Sequence, residues 1–145
     1  MQNRNTVLDC LFLFNQSDFH KQYTLSEFNI YCLIPLIHNK AYLFYEDNQP
    51  VGFVTWIWLT PEEAVEFLEE RWIPDEAVWK RPDIIDDRYQ LWGIDFITPF
   101  GHSTKVMRGM MKHSQSILGK RVPANWRRFK QPKRKHKARR NTNKK

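Results

Sequence analysis

The stretch AYLFYEDNQPVGFVTWIWL, residues 41–59, decides the fold because it holds two strand-forming runs on either side of a turn segment. Ala41–Tyr45 and Val51–Leu59 are rich in aromatic and β-branched residues, which favour strands. Glu46–Pro50 between them is polar, as expected of a turn. The pattern predicts an antiparallel hairpin near the middle of the chain.

The residues before the hairpin predict two helices. Thr6–Phe14 carries apolar residues at helical spacing. Thr24 and Glu27 form a capping box, in which each side chain satisfies a free backbone N–H of the first turn. The second helix is predicted to run to about His38, with a bend at Pro35, which has no N–H to donate.

More elements are predicted after the hairpin. Thr60 caps a helix that extends to about Arg71, with Pro61 in its first turn. An acidic irregular stretch, a strand, a helix and a final short strand follow at 74–88, 91–98, 102–113 and 116–122. This order predicts a single-domain α/β fold of the α+β type, in which helices flank a largely antiparallel sheet.

Charge is distributed unevenly along the chain. Residues 1–95 contain 7 basic and 16 acidic residues, whereas residues 96–145 contain 16 basic residues and no acidic ones. From Pro123 onward the composition shifts abruptly to lysine, arginine, glutamine, asparagine and proline. We therefore expect a folded domain at 1–122 and a basic, disordered tail at 123–145 that attracts acidic partners.

Several classes of protein are disfavoured by the composition. The two cysteines, Cys10 and Cys32, lie in apolar stretches and do not suggest a disulfide framework. No run approaches the roughly 20 apolar residues of a membrane-spanning helix, and the first residues make a poor signal peptide, so we expect a cytoplasmic protein. Neither metal-ligand spacing nor a phosphate-binding glycine loop occurs, so no bound cofactor is expected.

Two residues are the main candidates for chemistry. His20 lies in a predicted loop ahead of the capped helix, and imidazole suits general-base work because it exchanges a proton near neutral pH. Asp95 interrupts an apolar strand, where a buried carboxylate needs a partner. Simple alternation places Asp95 on the same face as Gly93 and Ile97. A surface histidine and a water-facing aspartate at a strand end are the alternative interpretations.

Three weaker candidates remain. Ser17 is either a nucleophile or a local cap, and the cap is favoured. His102 and His113 are interpreted as surface residues of a helix. The sequence does not show whether His20 and Asp95 meet, although an imidazole oriented by a carboxylate recurs in acyl transfer.

Three segments resemble the signature segments of the RTX-toxin-activating lysine acyltransferases. They are SDFH at 17–20, NQPVGFVTW at 48–56 and IDFITPFG at 94–101, in the order and spacing of that family. The third is the most specific, and weaker similarity extends the resemblance over roughly residues 7–122. Phe53 departs from the tyrosine that the family often has, and beyond Val122 a basic tail replaces the usual longer C-terminal region.

The resemblance implies transfer of a fatty acyl group from acyl carrier protein to the ε-amine of internal lysines in an RTX protoxin, which activates it. It also implies an N-acetyltransferase-like fold that can dimerise. The family's histidine matches His20, its aspartate matches Asp95, and a serine in a supporting role matches Ser17. Acyl carrier protein then enters as the acyl-donor substrate rather than as a resident cofactor.

Two other functions compete with this hypothesis. The basic residues at 127–137, together with Trp126 and Phe129, could grip phosphates and stack bases as a nucleic-acid-binding module does. A non-catalytic interaction protein on the same fold is the other. Nucleic acid is disfavoured as the main partner because residues 1–95 are net acidic and carry no recognised motif, and intact His20 and Asp95 argue against a non-catalytic protein.

Overall fold

The computed structural model describes residues 5–84 and 86–126, and within them a four-stranded sheet has the order β1-β2-β3-β4. The strands are β1 (Ala41–Glu46), β2 (Gln49–Leu59), β3 (Gln90–Ile97) and β4 (Asn125–Trp126). The first three pair antiparallel, and β4 pairs parallel to β3. The predicted α+β fold with a largely antiparallel sheet is confirmed, while its N-acetyltransferase-like assignment stays a prediction.

Helices cover both faces of this sheet. They are α1 (Thr6–Gln16), α2 (Leu25–Phe28), α3 (Ile34–Ile37), α4 (Pro61–Leu68), α5 (Glu76–Trp79) and α6 (Ser103–Leu118). In the described ranges, none of the helices has both the length and the apolar character that crossing a membrane requires.

The central hairpin is confirmed, and its turn shows why. Asp47 and Asn48 have φ angles of 51° and 66°, so both central residues of the two-residue turn are left-handed. Such a turn matches the right-handed twist of the strands, and asparagine and aspartate tolerate its backbone better than most residues. The turn sets the pairing of Glu46 with Gln49, and an irregularity between Phe44 and Tyr45 shifts the register by one residue along the rest of the two strands.

The predicted second helix also forms, in three parts. Both bonds of the capping box are present, from the Glu27 N–H to Thr24 Oγ1 at 3.1 Å and from the Thr24 N–H to Glu27 Oε1 at 2.8 Å. A π-helical turn, Asn29–Leu33, joins α2 to α3. Pro35 follows this turn and cannot donate to an α-helical ladder, so the wider turn lies where the sequence predicts a bend.

Alternation along β2 divides the core into two layers. Phe53, Ile57 and Leu59 pack against α1 to α5 on one face. Trp56 and Trp58 lie on the other face, where Met110 and Leu118 of α6 cover them.

The predicted final strand at 116–122 is wrong. Residues 116–118 complete α6, which ends at Gly119 with a left-handed φ of 76°. A short apolar run can continue a helix as easily as it can form a strand, so periodicity alone could not distinguish them. The short strand instead forms at Asn125–Trp126, within the segment assigned to the tail, and residues 127–145 lie outside the described residues.

Candidate active site

A β-bulge in β3 positions Asp95. Val54 pairs with Phe96 and Trp56 pairs with Gly93, so Thr55 alone faces both Ile94 and Asp95. Such a bulge disrupts the ladder locally, and here the Asp95 N–H instead donates to Thr55 Oγ1 at 3.1 Å.

The bulge also changes which face Asp95 occupies. Gly93 lies under the Trp126 ring on the α6 face, whereas Ile94 and Ile97 pack into the core on the opposite face. Asp95 contacts His20 on that opposite face. The prediction that Asp95 shares a face with Gly93 is therefore wrong, and the prediction that it shares a face with Ile97 is confirmed. Alternation fails here because two residues of β3 occupy the space of one.

His20 reaches Asp95 from a 3₁₀ turn, His20–Gln22, that connects α1 to α2. Its Nε2 lies 2.9 Å from Asp95 Oδ1. The two residues are 7% and 0% exposed, so this contact is shielded from water. The ring of His20 is surrounded by the rings of Phe14, Phe19 and Tyr23, with centroids 5.1 to 5.5 Å away.

Ser17 completes a chain of three side chains. Its Oγ lies 2.7 Å from His20 Nδ1 and also accepts a hydrogen bond from the His20 backbone N–H at 3.3 Å. Ser17 is therefore a local cap, as favoured from the sequence, and it contacts the imidazole as well. The contact pattern assigns the ring proton to Nε2, since the serine hydroxyl donates to Nδ1 and the Asp95 carboxylate accepts from Nε2–H.

Tyr23 is the residue that sequence reasoning missed. Its hydroxyl donates to the same Oδ1 atom of Asp95 at 2.9 Å. The sequence offers little indication of a functional role for Tyr23. This residue lies between two polar residues, directly before the capping threonine, where an aromatic residue of a loop would be expected. In the structure Tyr23 holds the carboxylate from a second direction, so His20 and Tyr23 together fix its position.

The two cysteines and a possible metal site are the other chemical features to consider among the described residues. Cys10 and Cys32 are free thiols and fully buried. The pKa of the Cys32 thiol is raised, mainly by its hydrogen bond with Cys10 and next by burial. The thiol therefore stays protonated, which makes it a poor nucleophile. Among residues 5–84 and 86–126, no group of three or more His, Cys, Asp or Glu side chains could hold a metal ion.

The two other histidines considered as candidates, His102 and His113, lie on the other side of the sheet or at its rim. His102 precedes α6 and its Nε2 lies 3.2 Å from Glu46 Oε1. His113 is half-buried against the rings of Tyr42 and Trp56, so it is not the surface residue that the sequence suggests. Burial lowers the pKa of His113, and this favours its neutral form.

The arrangement is suited to accepting a proton. An imidazole whose Nε2–H is held by a buried carboxylate presents its other nitrogen, Nδ1, as the basic atom, and the carboxylate stabilises the positive charge that forms on the ring. The Ser17 hydroxyl donates a hydrogen bond to that nitrogen, so its hydrogen lies where a transferred proton would bind. Ser17, His20 and Asp95 are thus brought together as one group, which the sequence alone did not show.

Known proteins similar to this chain share one activity class. The leukotoxin-activating lysine-acyltransferase LktC of serotype T3 from Mannheimia haemolytica is 28% identical over 119 residues, covering 80% of this chain and 66% of its own length. The protein-lysine myristoyltransferase RtxC from Kingella kingae is 31% identical over 101 residues, covering 69% and 56%. The protein-lysine myristoyltransferase HlyC from Escherichia coli is 28% identical over 114 residues, covering 76% and 62%.

The similarity therefore spans less than two thirds of the length of these relatives. The sequence profile of the RTX toxin acyltransferase family, in contrast, matches residues 2–141 of this chain. That match includes Ser17, His20, Tyr23 and Asp95. Since it covers nearly the whole sequence, the chain belongs to the RTX toxin acyltransferase family.

Proposed function

We propose that this chain is a protein-lysine acyltransferase that transfers a fatty acyl group from acyl carrier protein to internal lysines of an RTX protoxin and so activates it. The observation that carries the proposal is the buried contact of His20 Nε2 with Asp95 Oδ1 at 2.9 Å, extended to Ser17 through His20 Nδ1. Membership of the family supports the same chemistry.

The reaction requires a base because the attacking group is a lysine. A free lysine amine is protonated at neutral pH, with a pKa of about 10.4, and only its neutral form attacks a thioester. In the proposed mechanism the lysine ammonium first releases one proton to water; as the neutral amine attacks, a second proton leaves its nitrogen for His20 Nδ1, with the Ser17 hydroxyl as its bridge. A C–N bond forms, the C–S bond breaks, and His20 returns the proton to the departing thiolate.

Asp95 and Tyr23 act through His20 in this scheme. The Asp95 carboxylate accepts from Nε2–H and stabilises the imidazolium that forms during transfer, without itself taking the proton. The Tyr23 hydroxyl holds the carboxylate in place, and the Thr55 hydroxyl holds the backbone of the bulge. We therefore assign His20 as the general base, Asp95 as its orienting partner, Ser17 as the bridge for the proton, and Tyr23 as a positioning residue.

The charge distribution supports an acidic donor and an acidic acceptor. The segment after Asp95 contains 16 basic residues and no acidic residue. Attraction of this kind mainly raises the rate of encounter with acidic partners and weakens with salt.

The remaining parts of the proposal concern the donor, the compartment and the assembly. Acyl carrier protein is the proposed donor, and no cofactor is held between turnovers. The cytoplasm is the proposed compartment, and a homodimer is the proposed assembly.

The direct test is co-expression with a cognate RTX protoxin, followed by intact-mass measurement of the protoxin. Wild-type protein is expected to add the mass of one or more acyl chains, and His20→Ala is expected to add none. Lys21→Ala is the control, because Lys21 is the exposed neighbour of His20 and its ammonium group pairs with Asp18 at the surface. Equal acylation by wild type and His20→Ala would reject the proposed role of the site.

A further inference from the structure

An apolar cavity of about 360 Å³ lies between α6 and the face of the sheet opposite His20. Its volume falls within the range typical of small-molecule sites. Three methionines of α6 line it together with Leu91 and Trp126: Met107, Met110 and Met111. Methionine side chains are unbranched and flexible, so they adapt to a flexible apolar ligand.

Gly93 shapes one wall of this cavity. A Cβ atom at position 93 would lie 2.2 Å from the ring of Trp126, so only glycine lets the indole lie directly on β3. Trp126 also packs edge-on against Phe96, at a centroid distance of 5.9 Å. The short strand β4 therefore places an aromatic side chain over the cavity.

A polar cleft opens beside the cavity. Ser103, Thr104, Arg108 and Arg121 line it, and it shares the side chains of Met107 and Met111 with the cavity. Two guanidinium groups beside two hydroxyl groups favour an anionic group of the ligand. The pair of compartments fits an amphipathic molecule with a long apolar chain and an anionic head.

The cavity adjoins the candidate active site through β3. Thr55 lines the cavity, and its hydroxyl accepts the hydrogen bond from the Asp95 N–H. Phe96, the residue after Asp95, lines the polar cleft. Within the described chain, β4 pairs with Trp92 and Gly93 and extends no further along β3. The cleft thus lies at the edge of the same strand that carries Asp95.

We propose that this cavity binds the saturated acyl chain of the donor, and that Arg108 and Arg121 bind the phosphate of its phosphopantetheine arm. This inference rests on the proposed function and adds the residues that select the acyl chain. The chain's own continuation is a poor occupant, because residues 127–145 include only one large apolar side chain, Phe129. A fatty acyl chain matches the apolar lining, and its thioester would reach the edge of β3 beside Asp95.

Binding of free fatty acids tests the cavity without any need for turnover. Octanoate, decanoate, dodecanoate and myristate are titrated calorimetrically into the whole chain, each below the concentration at which it forms micelles. Affinity is expected to rise about fourfold for each methylene that enters the cavity, and to stop rising once the cavity is full. An affinity that does not depend on chain length would overturn the proposal.

A matched pair of substitutions locates the site. Ser114 lines the cavity, whereas Ser116, two residues further along α6, is exposed and does not. Ser114→Phe is expected to move the plateau to shorter chains and weaken myristate binding by about tenfold or more, the loss of two or more methylenes. Ser116→Phe is expected to bind like wild type. Ser114→Leu makes the same test with a smaller side chain if the phenylalanine variant does not fold.

The head-group assignment is tested with myristoyl thioesters of acyl carrier protein and of coenzyme A, which share the phosphopantetheine arm. Arg108→Gln and Arg121→Gln are expected to weaken both by about tenfold, the loss of one charge-assisted hydrogen bond each. Lys112→Gln, an exposed cation of α6 outside the cleft, is the control. If the arginine variants bind both thioesters as tightly as wild type does, the assignment is wrong.

The outcomes separate this inference from the proposed function. His20→Ala is expected to retain fatty acid binding while losing lysine acylation. If Ser114→Phe leaves both binding and chain selection unchanged while His20→Ala abolishes acylation, the cavity assignment fails and the proposed enzyme stands. If His20→Ala acylates normally, the role assigned to His20 fails, and if the folded wild-type protein acylates no protoxin, the proposed function fails whatever the cavity binds.

Discussion

His20 Nε2 lies 2.9 Å from Asp95 Oδ1, although 75 residues separate the two in the sequence. The contact depends on two local features, the 3₁₀ turn that presents His20 and the bulge that turns Asp95 toward it. A buried carboxylate that lost its partner would be costly, so the contact ties the fold of β3 to the first helices. Any change that separates these side chains should therefore lower both the rate of the reaction and the stability of the fold.

Asp95→Asn tests the charge on the carboxylate while it keeps the shape of the side chain. The amide oxygen can still accept from His20 and Tyr23, but it cannot stabilise an imidazolium as a carboxylate does. We expect lysine acylation to fall by about 10²–10⁴-fold, the range typical of general acid–base contributions. Asp87→Asn, at an exposed position, is the control. Unchanged initial rates of acylation in Asp95→Asn would contradict the role assigned to Asp95.

Tyr23→Phe removes one of the two hydrogen bonds to Asp95 Oδ1. We expect kcat to fall by about tenfold with KM unchanged, because a hydrogen bond to a charged group contributes about 1.5–3 kcal/mol and Tyr23 does not touch the substrate. Tyr42→Phe is the control, since the described residues offer the Tyr42 hydroxyl no hydrogen bond. A change in KM alone would show that Tyr23 binds substrate instead of positioning Asp95.

Ser17→Ala separates a bridging serine from a nucleophile. As a bridge and cap, Ser17 is expected to contribute about tenfold to a hundredfold to the rate of acylation, less than the general base itself. If Ser17 formed an acyl-enzyme, its alanine variant would be as inactive as His20→Ala, and mass spectrometry of the wild-type protein with excess donor would detect an acylated peptide containing Ser17. Either result would contradict direct transfer.

The sequence predicted the hairpin, the capping box of Thr24 and Glu27, and the strand that carries Asp95, because turn residues and caps act locally. It could not predict that His20 and Asp95 meet, since contacts between distant segments depend on packing. It also misplaced Asp95 relative to Gly93, because simple alternation assumes an unbroken strand, although an isolated glycine in a strand, such as Gly93, is itself a signal of a bulge. Tyr23 was missed for a related reason: its partner is 72 residues away, and nothing near it in the sequence indicates that partner.

His113→Gln tests the effect of pH on the α6 side of the sheet. Burial lowers the pKa of His113 below its ordinary value of 6.5, with Asp83 opposing the shift. As the pH falls below about 6.5 the unfolded chain therefore takes up a proton before the folded chain does, so the contribution of His113 to stability is present above that pH and is lost below it. The free energy of unfolding of wild type minus that of His113→Gln should decrease as the pH falls from about 8 to about 5.5. Urea unfolding at both pH values measures it, and a difference independent of pH would contradict the burial of this ring.

The most direct measurement is the intact mass of a cognate RTX protoxin, after co-expression with wild type, with His20→Ala and with Lys21→Ala. The account predicts acyl-chain mass on lysines of the protoxin with wild type and Lys21→Ala, and unmodified protoxin with His20→Ala. Unmodified protoxin with the folded wild-type protein, or equal acylation by His20→Ala, would contradict it.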